Sequence, residues 1–265
     1  MAAGTESQPG RNKRRSQRTL FDGIAERYEK FRPGYPAHVL EFVAATAGLG
    51  PGAAVLEVGC GTGQLTERLA GAGFRVTAID IGRSMVAAAQ RRLTGAEVRF
   101  QVTSFEDLAV ADAFFALVIS SAAFHWIDPE IAFSKSARLL RPGSWLALLG
   151  TEEHYDDPFG AALHALWLSH GDTGGAWQTR PSDPEVIAAT GLFGIPACLS
   201  DRQQLSLPAG DVAGLESTRA TFLGWPCDTQ RHFTEELRLL LESQSAVHLT
   251  RQTSVTMAPV LRDRS

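Results

Sequence analysis

The sequence predicts an α/β protein built on one mostly parallel, seven-stranded sheet with helices on both faces. Three observations carry this. Between residues 53 and 149, five apolar runs alternate with segments of helical periodicity. That is the order a parallel sheet with right-handed crossovers requires. One run, FFALVIS at 114–120, is almost continuously apolar, as a strand covered on both faces must be. Late in the chain, Ala197–Leu207 and Val247–Pro259 contain alternating segments that read as strands added to the same sheet.

The elements follow in order. Pro36 opens a helix with Val39, Leu40, Val43 and Ala47 on one side, ending at Gly48. Ala53–Val58 is a strand, and a helix over Gln64–Ala70 places Leu65 and Leu69 one turn apart. Phe74–Ile79 is the second strand, ending at Asp80. Ser84 is placed to cap the next helix, whose buried stripe is Met85, Ala88, Ala89 and Leu93. Val98–Val102 is a short third strand and Phe114–Ser120 the fourth. A helix from Pro129 ends near Leu140, and RPGS at 141–144 turns the chain into Trp145–Leu149. Beyond Gly150 the pattern changes. Helices are expected at Asp156–His170, Pro184–Ala189, Val212–Phe222 and Thr229–Leu241, and residues 151–190 read as a helical cap or lid insertion. Residues 1–18 form a polar tail with Arg11, Lys13, Arg14, Arg15 and Arg18. It reads as a solvated arm, with contact to RNA, phosphate or an acidic partner as the alternative. Residues 19–265 are expected to form a single domain.

A chain of 265 residues with 44 % hydrophobic and 20 % charged residues can bury a sizeable core. The net charge of −4 supplies no global attraction to nucleic acid or anionic membrane. No apolar run has the length of a membrane span, and the polar N-terminus lacks the apolar block of a secretory signal. Three scattered cysteines, with no CxxC and no HExxH, suggest neither a disulfide framework nor zinc. A reducing, cytoplasmic setting is expected.

The most informative stretch is VLEVGCGTG, Val55 to Gly63. Glycines 59, 61 and 63 follow a strand and precede a helix, where backbone and ligand can approach closely. A tight turn is the alternative. GCGTG followed by Gln64 fits the dinucleotide pattern GxGxxG poorly, and no Lys-Ser or Lys-Thr follows to make a P-loop. The loop suits a nucleoside ligand without a pyrophosphate.

VLEVGCGTG resembles the first motif of class I S-adenosylmethionine-dependent methyltransferases. FDGIAERYEKFRPGYP at 21–36 resembles the segment leading into the first helix of many small-molecule members. VTAIDIGRSMVAAAQ resembles the second motif and VTSFEDL the third. LVISSAAFHWID with LLRPGSWLALL resembles the fourth strand, its loop and the fifth strand. The resemblance implies a Rossmann-like sheet and S-adenosylmethionine as cofactor, with S-adenosylhomocysteine as product. It implies that Gly59 and Gly61 leave space for the cofactor, and that Glu57 organises the loop and the cofactor's charged end. Asp80 would accept hydrogen bonds from the ribose hydroxyls, with a helix N-cap as its other role, and Ile81 would flank the adenine. Ser104 falls where the family usually has a short acidic residue for the adenine amino group, so here the acceptor would be uncharged. Phe105 would stack there or fill the core. Ser121 would lie against the cofactor in the loop after the fourth strand. Tyr28 would lie near the sulfonium, and Arg32 would pair with the cofactor's carboxylate or with a surface partner.

Methyl transfer is an in-line displacement, helped by holding nucleophile and methyl close and, for a hydroxyl, by removing its proton. His125 is the candidate base, with a bond to the cofactor or a structural contact as its other roles. Trp126, His154, Tyr155 and Trp177 are candidates to line the acceptor pocket, against the alternative that the aromatics fill the core. Asp128 before Pro129 reads as a helix N-cap. The place after the fourth strand holds SSAAFHW instead of the Asn/Asp-Pro-Pro-Tyr of enzymes that methylate amino groups of DNA bases. The expected acceptor is therefore a small organic molecule, not DNA. No metal is expected, and the chain would be a monomer or homodimer. RNA or protein methylation, or cofactor binding without transfer, are the other readings.

Overall fold

The computed structural model describes residues 19–172 and 180–261, so the basic tail at 1–18 and Trp177 lie outside the described residues. Five strands run parallel: β1 Ala54–Val58, β2 Arg75–Asp80, β3 Val98–Val102, β4 Phe115–Ser121 and β5 Leu140–Tyr155. β6 Ala197–Pro208 and β7 Ala246–Pro259 complete the sheet, and β7 is antiparallel to both of its neighbours. The order across the seven strands is β3-β2-β1-β4-β5-β7-β6. Connections from β1 proceed one way to β3, and those after β4 proceed the other way. The reversal leaves a crevice at the carboxyl ends of β1 and β4, where open α/β sheets bind ligands.

The alternation of side chains along each strand divides the core in two. Leu56, Val118 and Leu146 pack with Phe133, Leu139 and Ile187 on one face. Val55, Leu117, Ile119 and Ala147 pack with Val39, Val43, Leu65 and Leu69 on the other. Helices Ala37–Ala47 and Gln64–Gly71 thus cover one face, while Pro129–Leu139 and Pro184–Ala189 cover the opposite one. β1 is buried at every position, Glu57 included.

Several expectations are corrected in detail. Ser84 does not cap the helix Arg83–Arg92; Gly82 is the N-cap residue, without a side-chain cap bond. One orphan donor of that helix start goes to a remote carboxylate: Ser84 N–H donates to Asp22 Oδ1 at 2.6 Å. RPGS lies inside β5 as a bulge: Phe115 faces Leu140, but Leu117 faces Trp145. Gly143 absorbs the bend at φ 77. The expected helix at 212–222 is two, Ala209–Glu216 and Ala220–Leu223, separated near Ser217–Arg219.

The segment expected to begin a cap at 151 instead continues β5 to Tyr155, paired with β7. The helical layer beside this extension comes from two stretches of chain: Phe159–Ser169, then the helices between Ala209 and Leu241. Phe159, Leu163, Trp167, Phe222, Phe233 and Leu237 form its core. Trp167, Trp225 and Phe233 meet there at centroid distances of 4.5–5.2 Å. A fully buried carboxylate, Glu216, organises the layer. It accepts hydrogen bonds from Tyr155 Oη at 2.7 Å, Trp167 Nε1 at 3.0 Å, and Arg219 Nε and Nη2 at 2.7 and 3.1 Å. Four donors on one carboxylate offset the cost of taking it out of water.

Candidate active site

A cleft opens at the carboxyl ends of β1, β2, β3 and β4. Its lining includes Tyr28, Gly59, Gly61, Asp80, Ile81, Met85, Thr103, Phe105, Glu106, Ser121 and Trp126. The cleft is open to solvent, with about 730 Å³ of space along it when the mouth is included. Beside it, and sharing Tyr28, Gly59, Gly61, Ser121 and Ala122, lies a narrower cavity lined also by Arg32, Tyr35, Glu57, Gln64, Thr151, Glu153 and Arg251. The glycine loop is the wall common to both.

The three glycines have positive φ values of 75, 53 and 88°, which side chains rarely adopt. Their surroundings differ. A Cβ on Gly59 would stand 2.2 Å from the Ala123 Cβ, so that glycine admits the loop after β4. A Cβ on Gly63 would meet Ala89 and Leu93 at 3.1 Å, so that one admits a helix. A Cβ on Gly61 meets only the Tyr28 ring, at 3.9 Å, and faces the open cleft. The expectation that Gly59 keeps side-chain space free for a ligand is therefore corrected: its empty place is taken by protein.

Asp80 fixes the geometry of the loop. Its Oδ2 accepts from Gly61 N–H at 3.0 Å and its Oδ1 from Gly82 N–H at 2.8 Å. Each oxygen keeps a further lone pair for a ligand hydroxyl in the cleft. Burial, the larger effect, raises the Asp80 pKa while these backbone donors oppose it. Glu57 lies deeper, 2 % exposed, and its Oε2 has no hydrogen-bond partner among the described residues. Burial, the larger effect, pushes its carboxyl up to about 8, with the nearby Thr66 hydroxyl opposing the rise and the Asp80 charge adding to it. A buried orphan carboxylate oxygen on a cavity wall is complementary to a cationic donor.

Ser104 is corrected: it is not among the cleft-lining residues. Its hydroxyl donates to Asp107 Oδ2 at 2.6 Å and accepts from Asp107 N–H at 3.1 Å, closing a turn. Its neighbours Thr103, Phe105 and Glu106 line the cleft instead. Phe105 is also core, 3 % exposed. Ser121 lies on the wall of both cavities, 2.5 Å from the Tyr35 hydroxyl. Arg32 lines the narrower cavity, its guanidinium 5.7 Å from the Tyr28 ring centre. One edge of that fork is already bonded, through Nε, to Thr218 Oγ1 at 2.8 Å.

His125 lines neither cavity. It lies on an adjoining hollow with Ala122, Ala123, Gly150, Thr151 and Glu152, and Ala122 and Ala123 are the shared wall with the main cleft. Its ring lies 4.6 Å from that of Trp126, which does line the cleft. His154 and Tyr155 are corrected as cleft residues: they line a separate hollow with Trp167 and Arg219, and the Tyr155 hydroxyl is held by Glu216. Asp128 Oδ1 accepts from Glu130 N–H at 3.0 Å with Pro129 at the first helical position, the expected N-cap. Among the described residues no three His, Cys, Asp or Glu form a group able to hold a metal. No described helix is long and apolar enough to cross a membrane.

Sequence reasoning did not single out Phe21, Tyr35, Met85, Thr103, Glu153 or Arg251. Tyr35 and Thr103 sit inside the motifs that carry the resemblance, so adjacency could have flagged them. Glu153 and Arg251 meet only because β5 and β7 pair in one register, which nothing local reveals.

Comparison with known proteins agrees with this architecture. A family model described as a methyltransferase domain matches residues 56–148. A ubiquinone biosynthesis O-methyltransferase of Xanthomonas oryzae pv. oryzae is 37 % identical over 208 residues, 65 % of this chain and 85 % of that protein. An uncharacterized methyltransferase of Mycobacterium tuberculosis is 32 % identical over 136 residues; that match covers 51 % of this chain and about half, 54 %, of the relative. Among solved structures, phosphoethanolamine N-methyltransferase 2 of Haemonchus contortus, bound to phosphomonomethylethanolamine and S-adenosylhomocysteine, superposes with a TM-score of 0.54 at 18 % identity. It covers 91 % of this chain and 58 % of its own. At that identity the likeness speaks for the fold. With the sheet order, the glycine loop and the Xanthomonas relative together, the chain belongs to the class I S-adenosylmethionine-dependent methyltransferase family.

Proposed function

We propose that the protein transfers a methyl group from S-adenosylmethionine to an oxygen, nitrogen or carbon nucleophile of a small organic acceptor. The observation that carries this is the pairing of two carboxylates across one glycine loop. Asp80 stands in the wide cleft, and Glu57, with its orphan Oε2, stands in the narrow cavity beside it. The spacing suits a ligand with a diol at one end and an ammonium group at the other. When bound, the cofactor supplies a methyl group on a positively charged sulfur, open to in-line displacement.

The protein's own residues do the rest. Asp80 accepts from the ribose hydroxyls, and the apolar side chains of Ile81, Met85 and Phe105 flank the adenine. Glu57 accepts from the ammonium group. Arg32, partly held by Thr218, offers its remaining donors to the cofactor's carboxylate. Tyr28 and Trp126 wall the reacting centre and exclude water. His125 is the base for a hydroxyl acceptor reaching the wall at Ala122–Ala123. The name of the Xanthomonas relative supports a small acceptor and an oxygen nucleophile. The setting proposed is cytoplasmic.

Calorimetry with S-adenosylhomocysteine, followed by label transfer from methyl-labelled S-adenosylmethionine into a metabolite extract, tests the reading. One binding site and label in small molecules are expected. Absence of binding would remove the cofactor, and label confined to RNA or protein would remove the small acceptor. His125→Ala is expected to lower turnover at least tenfold with homocysteine-cofactor affinity unchanged; unchanged turnover would leave His125 a wall residue.

A further inference from the structure

Arg251 is an unusual residue for the middle of a strand. It lies on β7 opposite Glu153 of β5 and is 4 % exposed. Its Nε stands 3.6 Å from Glu153 Oε1, outside good hydrogen-bond distance. Its Nη2 is buried with no hydrogen-bond partner among the described residues, on a side chain that lines the narrow cavity. Removing a guanidinium from water without completing its bonds is costly. The fold retains that cost at a cavity wall, where a ligand can offset it.

Two features locate that ligand. Strand order runs β1-β4-β5-β7. The strand-borne groups suited to the cofactor stand at β2, β1 and β4, so in the sheet Arg251 lies beyond them, on the side opposite Asp80; of the cofactor groups off the sheet, Arg32 shares its cavity. Charge gives the sign. The described lining of the narrow cavity holds two guanidinium groups, Arg32 and Arg251, and two carboxylates, Glu57 and Glu153. Glu153 is also shared with Arg219 Nη2 at 3.8 Å. Burial keeps Glu57 protonated in the unliganded protein. Once it ionises against the cofactor's ammonium the wall is balanced, and the cofactor's sulfonium, ammonium and one carboxylate add net positive charge to it. A monoanionic acceptor restores the balance.

We propose that Arg251 anchors a carboxylate of the acceptor, making the acceptor a small organic acid. This rests on the cofactor reading above. The guanidinium fork matches a carboxylate better than an ammonium would. The nearby Arg32 adds to the positive potential, and Thr151 on the same wall can donate to the acid's second oxygen.

The test is calorimetric and uses the full chain saturated with S-adenosylhomocysteine. Benzoate and butyrate are titrated against their neutral counterparts, benzamide and butyramide. The acids are expected to bind at least tenfold more tightly than the amides. Arg251→Met should erase that preference while leaving S-adenosylhomocysteine affinity within twofold, and Arg251→Lys should retain part of it. Equal or absent binding of acids and amides overturns the proposal. Loss of S-adenosylhomocysteine affinity in folded Arg251→Lys also overturns it, because Arg251 would then serve the cofactor's own carboxylate. If the unmodified protein fails to bind S-adenosylhomocysteine, the cofactor reading falls and this proposal falls with it.

Discussion

Gly61 N–H donates to Asp80 Oδ2 at 3.0 Å, so the acid at the end of β2 holds the loop that follows β1. One carboxylate thus shapes the loop and faces the cleft beside it. The two roles can be separated by substitution, because a neutral side chain of the same shape can keep the loop bond.

Asp80→Ala is expected to weaken S-adenosylhomocysteine binding roughly a hundredfold, from loss of charge-assisted hydrogen bonds of about 1.5–3 kcal/mol and of the loop's anchor. Asp80→Asn retains one acceptor oxygen and should lose less. Calorimetry measures both; near-native affinity in Asp80→Ala would remove the ribose assignment.

Glu57 makes stability and affinity move oppositely with pH. Its carboxyl is raised by burial to about 8, against about 4.3 in an unfolded chain. Between those values the folded state binds more protons than the unfolded one, so the unliganded protein loses stability as pH rises. The contribution is fully present below the unfolded value and gone above about 8. Cofactor affinity should rise over the same window, as Glu57 ionises and can accept from the ammonium group. Thermal melts and calorimetry between pH 5 and 9 (about the window set by those two values) show whether Glu57→Gln flattens both trends. A Glu57→Gln protein with wild-type trends would exclude Glu57 as their source.

Gly59→Ala should destabilise the fold by about 2–4 kcal/mol, combining a left-handed backbone with an overpacked contact. Adding Ala123→Gly removes the partner of the 2.2 Å approach and should recover part of the loss, leaving the backbone cost. Urea unfolding of the two variants separates the terms; an unaltered midpoint in Gly59→Ala would contradict the close packing of the two loops.

Glu216→Gln is expected to cost about 2–4 kcal/mol, since it removes the nearer of the two buried counter-charges of Arg219 and leaves only Glu153, 3.8 Å from Nη2. It should do so with little change in S-adenosylhomocysteine affinity, because Glu216 lines neither cofactor cavity. Denaturant titration reads the first effect and calorimetry the second. A protein as stable as the wild type would show that Tyr155 and Trp167 are held by packing alone.

The sheet was legible because its signal is local. FFALVIS declares a doubly covered strand by itself, and VLEVGCGTG declares a strand and a ligand-side loop within nine residues. Glu57 and Asp80 were legible for the same reason, each ending or interrupting an apolar run. What escaped depends on distance in sequence. Nothing near Ser84 announces that Asp22, sixty-two residues earlier, takes its N–H. Tyr155 looks like a pocket residue until the fold brings Glu216 to its hydroxyl. The length of β5 was hidden because TEEHY is polar on its own, and it is a strand because β7 pairs with it. Gly59 shows the limit most clearly: the sequence marks a place with no room for a side chain, but only the fold shows that Ala123 occupies it.

The measurement that bears most directly on the central claim is a crystal structure of the protein with S-adenosylhomocysteine. The account predicts both ribose hydroxyls on Asp80, the adenosine against Gly61, and the amino group on Glu57 Oε2. Ligand density elsewhere, or a ribose turned away from Asp80, would contradict it.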